Sequence, residues 1–115
     1  MKPIMKGAYW LAAMLAAGVT AQAQAQDAVY ARNLASACFT CHGTDGRSVG
    51  TVPPALAGRD RGELLQLLQD FKTGKRPATL MHQQAKGYTD QQLETIAGYF
   101  AGVARGPAAA APAAR

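Results

Sequence analysis

An all-α fold of three to four helices is predicted by three observations. Apolar residues recur at helical spacing in two stretches, Leu64, Leu65, Leu68 and Phe71, and then Leu93, Ile96, Ala97 and Phe100. Start and stop residues bracket both stretches. No run carries the alternation or β-branched density of a strand. In chain order, residues 27–40 read as a first helix, with Val29, Leu34 and Ala37 or Cys38 on one apolar face, and Gly43 suits its end. Residues 44–61 carry Gly46, Gly50, Pro53, Pro54 and Gly58 and read as a long irregular loop. Asp60 or Gly62 opens a second helix that ends at Gly74, and Pro77 prevents its continuation. Residues 80–86 form a short helical turn stopped by Gly87. Thr89 begins the last helix, because Thr89-x-x-Gln92 is a capping-box pattern.

The stretch Cys38-Phe39-Thr40-Cys41-His42 carries the chemistry. Two thiols three residues apart lie on one side of a helical turn, where they can add to the two vinyl groups of one porphyrin. The following histidine then stands in place to coordinate its iron. This is the attachment pattern of a c-type haem. C-x-x-C also serves zinc sites and redox disulfides, and the rest of the chain decides against both. Zinc needs about four ligands. Both cysteines of the chain are already in the motif, and His82 lies far from zinc-finger spacing. A redox dithiol follows a strand in a βαβ rhythm, which is missing here.

Lys2 and Lys6 precede an apolar run over residues 8–19 and a small-residue stretch over 20–25. This is the pattern of a secretory leader, cleaved after Ala23 or Ala25. The apolar run is shorter than the roughly 20 residues that span a bilayer, so no stable membrane insertion is expected. The expected organisation is a leader over 1–25, a haem domain over 26–104 and a Pro- and Ala-rich tail over 105–115, in a periplasmic protein. The mature region has few large apolar residues. Chains this short often need a metal, cofactor or disulfide to complete a core, and a buried porphyrin would supply that mass. Met1, Met5 and Met14 fall in the leader, which leaves Met81 as the methionine available for a sixth iron ligand. A thioether is soft and raises the haem potential relative to histidine. The neighbouring His82 is the rival, and the residues alone leave both open.

Helix, haem motif, Gly/Pro loop, helix, methionine and terminal helix, in that order, resemble class I cytochrome c. The resemblance spans the mature domain to about Val103. It implies that the first and last helices cross and pack beside one covalent haem c, with Ala35, Gly98, Tyr99 and Phe100 as participants in the crossing. It implies Cys38 and Cys41 as attachment residues and His42 with Met81 as the iron ligands. It also implies a proline carbonyl that accepts the other ring nitrogen of His42. Pro54 matches that position best, and Pro53 is the alternative.

A narrower resemblance covers residues 70–89, together with Asn33-Leu34-Ala35 and residues 43–48 around the haem motif. These segments are similar to the cytochrome subunit of flavocytochrome c sulfide dehydrogenase. In that family an FAD-containing subunit oxidises sulfide and passes electrons to the haem. The resemblance implies a haem subunit with no catalytic residues of its own. A departure accompanies it, since many members carry two haem domains and this chain has one C-x-x-C-H. The other reading is an independent mobile carrier between periplasmic dehydrogenases and an oxidase. The net charge is +5, and of twelve basic residues Lys2 and Lys6 leave with the leader, so the mature chain keeps ten against seven acidic ones, or +3. Lys72, Lys75 and Arg76 mark a candidate docking patch for an acidic redox partner. Basic–aromatic alternation of the kind that binds nucleic acid is missing.

Overall fold

In the computed structural model, residues 24–106 are described. Residues 1–23 and 107–115, which hold most of the expected leader and tail, lie outside them. The chain divides into two compact units, Met1–Tyr30 and Ala31–Arg115. Of the first unit, residues 24–30 are helical and exposed. The second unit holds the candidate site.

The fold is all-α, and no strand occurs among the described residues. Helix α1 covers residues 24–42, α2 Arg61–Thr73, α3 Met81–Lys86 and α4 Asp90–Gly102, with a single 3-10 turn at Thr44–Gly46. Helix α1 runs two residues past the expected end at Thr40, so Cys41 and His42 are helical. It stops only where Gly43 turns to a φ of 79°. The caps of α2 and α4 are the ones the sequence signals. Asp60 accepts from the Glu63 N–H at 2.9 Å, and α2 closes at Gly74, whose N–H donates to the Phe71 carbonyl. The Thr89 hydroxyl accepts from Gln92 N–H, and the Gln92 side chain accepts from Thr89 N–H, which completes the capping box. Helix α3 has no side-chain cap at its start.

The core gathers Ala35 of α1, Leu64 of α2 and Ile96, Ala97 and Phe100 of α4. Leu34, Cys38, Phe39, Leu56, Leu65, Leu68, Tyr88 and Tyr99 pack against it. Ala35 and Ala97 are both fully buried. Aromatic edges join α1 to α4: Phe39 meets Tyr99 and Phe100 at centroid distances of 6.2 Å, and Tyr99 meets Phe100 at 5.3 Å. Gly98, expected at the α1–α4 crossing, faces elsewhere. The nearest atom to the place its Cβ would take is Nε of Arg61, at the start of α2. Ala97, one position earlier on the helix, is the small residue in the shared cluster. Phe100, Leu93 and Ile96 are the largest fully buried side chains, each contributing about 1.5–3 kcal/mol of apolar burial.

The loop that follows the haem motif is tied to this core through Gly46. This residue is buried at a φ of 75°, and a Cβ there would lie 2.7 Å from the Phe100 ring. Its carbonyl accepts from the N–H groups of Leu56 and Ala57, and the Gly58 N–H donates to the Phe100 carbonyl. The segment 47–55 is therefore pinned at both ends against α4.

Candidate functional site

The last turn of α1 carries Cys38, Cys41 and His42 together. Helical spacing places the two thiols on neighbouring turns of one face. Both thiols are free, Cys38 half-buried and Cys41 exposed. Burial, and then the neighbouring Cys41, push the Cys38 thiol up to about 11. Among the described residues no group of three or more His, Cys, Asp or Glu side chains gathers to hold a metal ion.

His42 is buried, and its Nδ1 lies 2.7 Å from the Pro54 carbonyl. A carbonyl only accepts, so Nδ1 carries a proton, and in the neutral ring it is Nε2 that offers a lone pair. An imidazole fixed in this way is oriented and made more basic for a metal. The Pro53 carbonyl is occupied differently, accepting from the Ser48 hydroxyl at 2.6 Å. Ser48 is buried and was not singled out by the sequence. Its signal would have been a serine at the mouth of a Gly/Pro loop, where hydroxyls bond to nearby backbone. Two adjacent proline carbonyls thus hold two different side chains, and the loop that presents Pro54 is closed by Ser48.

Met81 lies on a separate element, as the first residue of α3, and is half-buried. Leu80 before it is 68 % exposed. His82 after it donates from Nδ1 to the Phe71 carbonyl at 2.7 Å. Tyr88, half-buried beside the core, lies near enough to Cys38 for their charges to interact, and burial first and then that thiol raise its pKa.

A second polar group surrounds the turn after His42. The Tyr99 hydroxyl donates to Asp45 Oδ1 at 2.5 Å. Arg32 and Arg47 pair with the same carboxylate at 3.3 and 3.5 Å. The Tyr99 hydrogen bond, with the two guanidinium charges, holds the Asp45 carboxyl below the usual carboxylate range against the opposing effect of burial. Asp45 itself sits at a φ of 55°. Arg47 continues to the Ala104 carbonyl at 3.1 Å, so one network joins α1, the turn, α4 and the chain beyond it. The expected docking patch is not a set of three free cations. Lys72 bonds to Asp90 at 2.7 Å, Lys75 lies 3.4 Å from Asp70, and Arg76 stacks over the Phe71 ring.

These residues fit a covalent porphyrin. Two free thiols and an imidazole with a free Nε2 stand on one helical end, and the core beside them is small and partly aromatic. No helix among the described residues is long and apolar enough to cross a membrane.

Comparison with known proteins agrees. The family described as cytochrome c matches residues 22–104. The cytochrome subunit of sulfide dehydrogenase from Chlorobaculum tepidum is 40 % identical over 72 residues, covering 63 % of this chain and 64 % of that protein. Cytochrome c4 from Pseudomonas aeruginosa is 39 % identical over 89 residues, covering 76 % of this chain and 44 % of the relative. A solved structure of cytochrome c4 from Acidithiobacillus ferrooxidans superposes with a TM-score of 0.61 at 34 % identity, over 67 % of this chain and 50 % of the other. The chain thus spans less than two thirds of the length of each of these relatives.

Proposed function

The chain belongs to the cytochrome c family, and from that premise we propose that it is a periplasmic single-haem electron carrier that serves as the haem subunit of a sulfide-oxidising flavocytochrome c. Its cofactor is haem c and its general role is electron transfer. In the finer reading Cys38 and Cys41 would form the thioether bonds, and His42 and Met81 would hold the iron. The observation that carries it is the buried His42 ring, with Nδ1–H given to the Pro54 carbonyl and Nε2 left for the metal.

Bound haem supplies a one-electron couple between ferric and ferrous iron. The residues around it keep that change simple. His42 stays in one tautomer because Pro54 accepts its proton-bearing nitrogen, so no proton needs to move with the electron. Ser48 closes the loop that presents Pro54. The Met81 thioether is the ligand of softer character, which favours the reduced iron. Sulfide chemistry belongs to an FAD-containing partner, and the 40 % identity to a sulfide dehydrogenase cytochrome subunit supports that partner class. The cytochrome c4 relatives match a larger share of this chain, and the second reading is a free carrier between periplasmic dehydrogenases and an oxidase.

Affinity isolation of the mature holoprotein from its native periplasm, read by visible absorption and mass, separates the two. Recovery of a stoichiometric flavoprotein whose sulfide-dependent reduction reaches the haem is the expected result. A haem-bearing monomer with no flavin partner overturns the subunit role in favour of the free carrier.

A further inference from the structure

The segment that delivers Met81 is weakly held by local structure. Residues 73–77 and 79–80 are exposed, α3 has only six residues, and its start has no side-chain cap. The helix packs on α2, and Ala85 is its one buried residue, so a small side chain turns one face inward and leaves the fine rotation of the helix to other ties. One side-chain bond does reach it from elsewhere: the His82 Nδ1–H donates to the Phe71 carbonyl across eleven positions. Phe71 is in the last turn of α2, and its carbonyl, which already accepts from the capping Gly74 N–H at 3.3 Å, takes the His82 bond on its second lone pair. The ring also rests beside Gly74, with Cε1 3.7 Å from where a Cβ on that glycine would lie. Adjacent residues of an α-helix project about 100° apart. Fixing His82 on α2 therefore fixes the direction in which Met81 leaves α3.

We propose that His82 is a positioning residue for the iron ligand: by bonding to the end of α2 it sets the rotation of α3 and aims the Met81 sulfur at the haem. This rests on the reading of Met81 as sixth ligand. It gives His82 a role that the rival-ligand reading does not contain. His82 would act through a hydrogen bond from Nδ1, so an amide that offers N–H at a similar reach should replace it and a ring without a donor should not.

The test uses the full holoprotein with two variants, His82→Asn, which keeps a donor, and His82→Phe, which keeps a ring and loses it. The readouts are the far-red charge-transfer absorption of a thioether bound to ferric haem, and the midpoint potential. Covalent haem content and helical circular dichroism serve as folding controls. The expected result is that wild type and His82→Asn show the thioether band. His82→Phe loses most of it, with a lower potential at unchanged haem content. Lys72→Ala, which removes a different tie to α2, should keep the band. If both His82 variants keep the band and the potential, or both lose them, the positioning role is overturned. If wild type itself lacks the thioether band, the Met81 reading fails first, and loss of low-spin haem in both variants then identifies His82 as the ligand. Should His82→Phe not fold, His82→Ala takes its place with the same expectations.

Discussion

Two parts of the second unit are built on different physics. The packed side, where α1, α2 and α4 meet, is held by apolar burial and by helix caps. Its members, Ala35, Leu64, Ile96, Ala97 and Phe100, are nearly or fully inaccessible. The side that carries Met81, the proposed sixth ligand, consists of residues 43–60 and 74–82. Backbone bonds pin its ends, and its functional groups are each oriented by a single side-chain bond to a backbone carbonyl: His42 to Pro54, Ser48 to Pro53 and His82 to Phe71. The difference teaches where stability and function can be separated. Many atoms share the load on the first side, and a truncation there removes stability. On the second side one acceptor often fixes one functional group, and losing it should move the site more than it unfolds the protein.

The largest expected effect is on the packed side. Phe100→Ala removes a ring with 1 % exposure that touches Phe39 of α1, its neighbour Tyr99 and the Gly46 turn. It should cost about 3–5 kcal/mol, read as a lowered guanidinium midpoint of the holoprotein. A loss of under about 1 kcal/mol would mean that the cluster collapses around the gap and that haem burial, not Phe100, dominates the core.

Gly46→Ala probes the joint between the two parts. The new Cβ would stand 2.7 Å from the Phe100 ring in a left-handed backbone, so both overpacking and strain apply. About 2 kcal/mol of destabilisation is expected. Combining it with Phe100→Leu should recover part of that cost if the ring is the obstacle. Strict additivity in the double variant would assign the cost to the backbone alone.

The contrast also explains what could be read from the sequence. The helices of the packed side were legible because burial repeats at helical spacing and because Asp60, Gly74 and the Thr89–Gln92 pair mark ends with known chemistry. The haem motif was legible because its spacing is its function. Ser48, the Asp45–Tyr99 bond and the His82–Phe71 bond were not, since each joins positions 5 to 54 residues apart with no periodic trace. The Gly98 assignment failed for a related reason. Small residues at adjacent positions, Ala97 and Gly98, face different neighbours, and composition does not say which one meets α1. The Lys72, Lys75 and Arg76 cluster was visible as charge, while its partners Asp70 and Asp90 were visible only as other charges until the fold brought them together.

A smaller effect is expected from the network at the end of α1. The Asp45 carboxyl is held below its usual range, chiefly by the Tyr99 hydroxyl and then by Arg32 and Arg47. A carboxyl depressed in the folded state contributes stability that is present above its unfolded value and is lost as pH falls through the folded one. Tyr99→Phe removes the largest cause and lets the folded pKa rise. The acid-unfolding limb should then begin at higher pH, with neutral-pH stability changed less. Circular dichroism against pH checks this. Coincident acid limbs for wild type and Tyr99→Phe would show that Arg32 and Arg47 alone hold the carboxylate.

The smallest effect is expected at the surface cations. Replacing Lys72, Lys75 and Arg76 together by alanine removes three charges, yet two of them already face Asp90 and Asp70 and the third lies over an aromatic ring. Exposed pairs of this kind are worth little, and salt screens them further. Electron exchange with an acidic redox partner at low salt should therefore slow by less than about tenfold, the lower end of what electrostatic steering supplies. Rates measured over a range of ionic strengths decide the matter. A larger drop that disappears at high salt would mean that the partner displaces Asp70 and Asp90 from these cations on docking. The side that carries Met81 would then contribute a recognition surface as well as the proposed iron ligand.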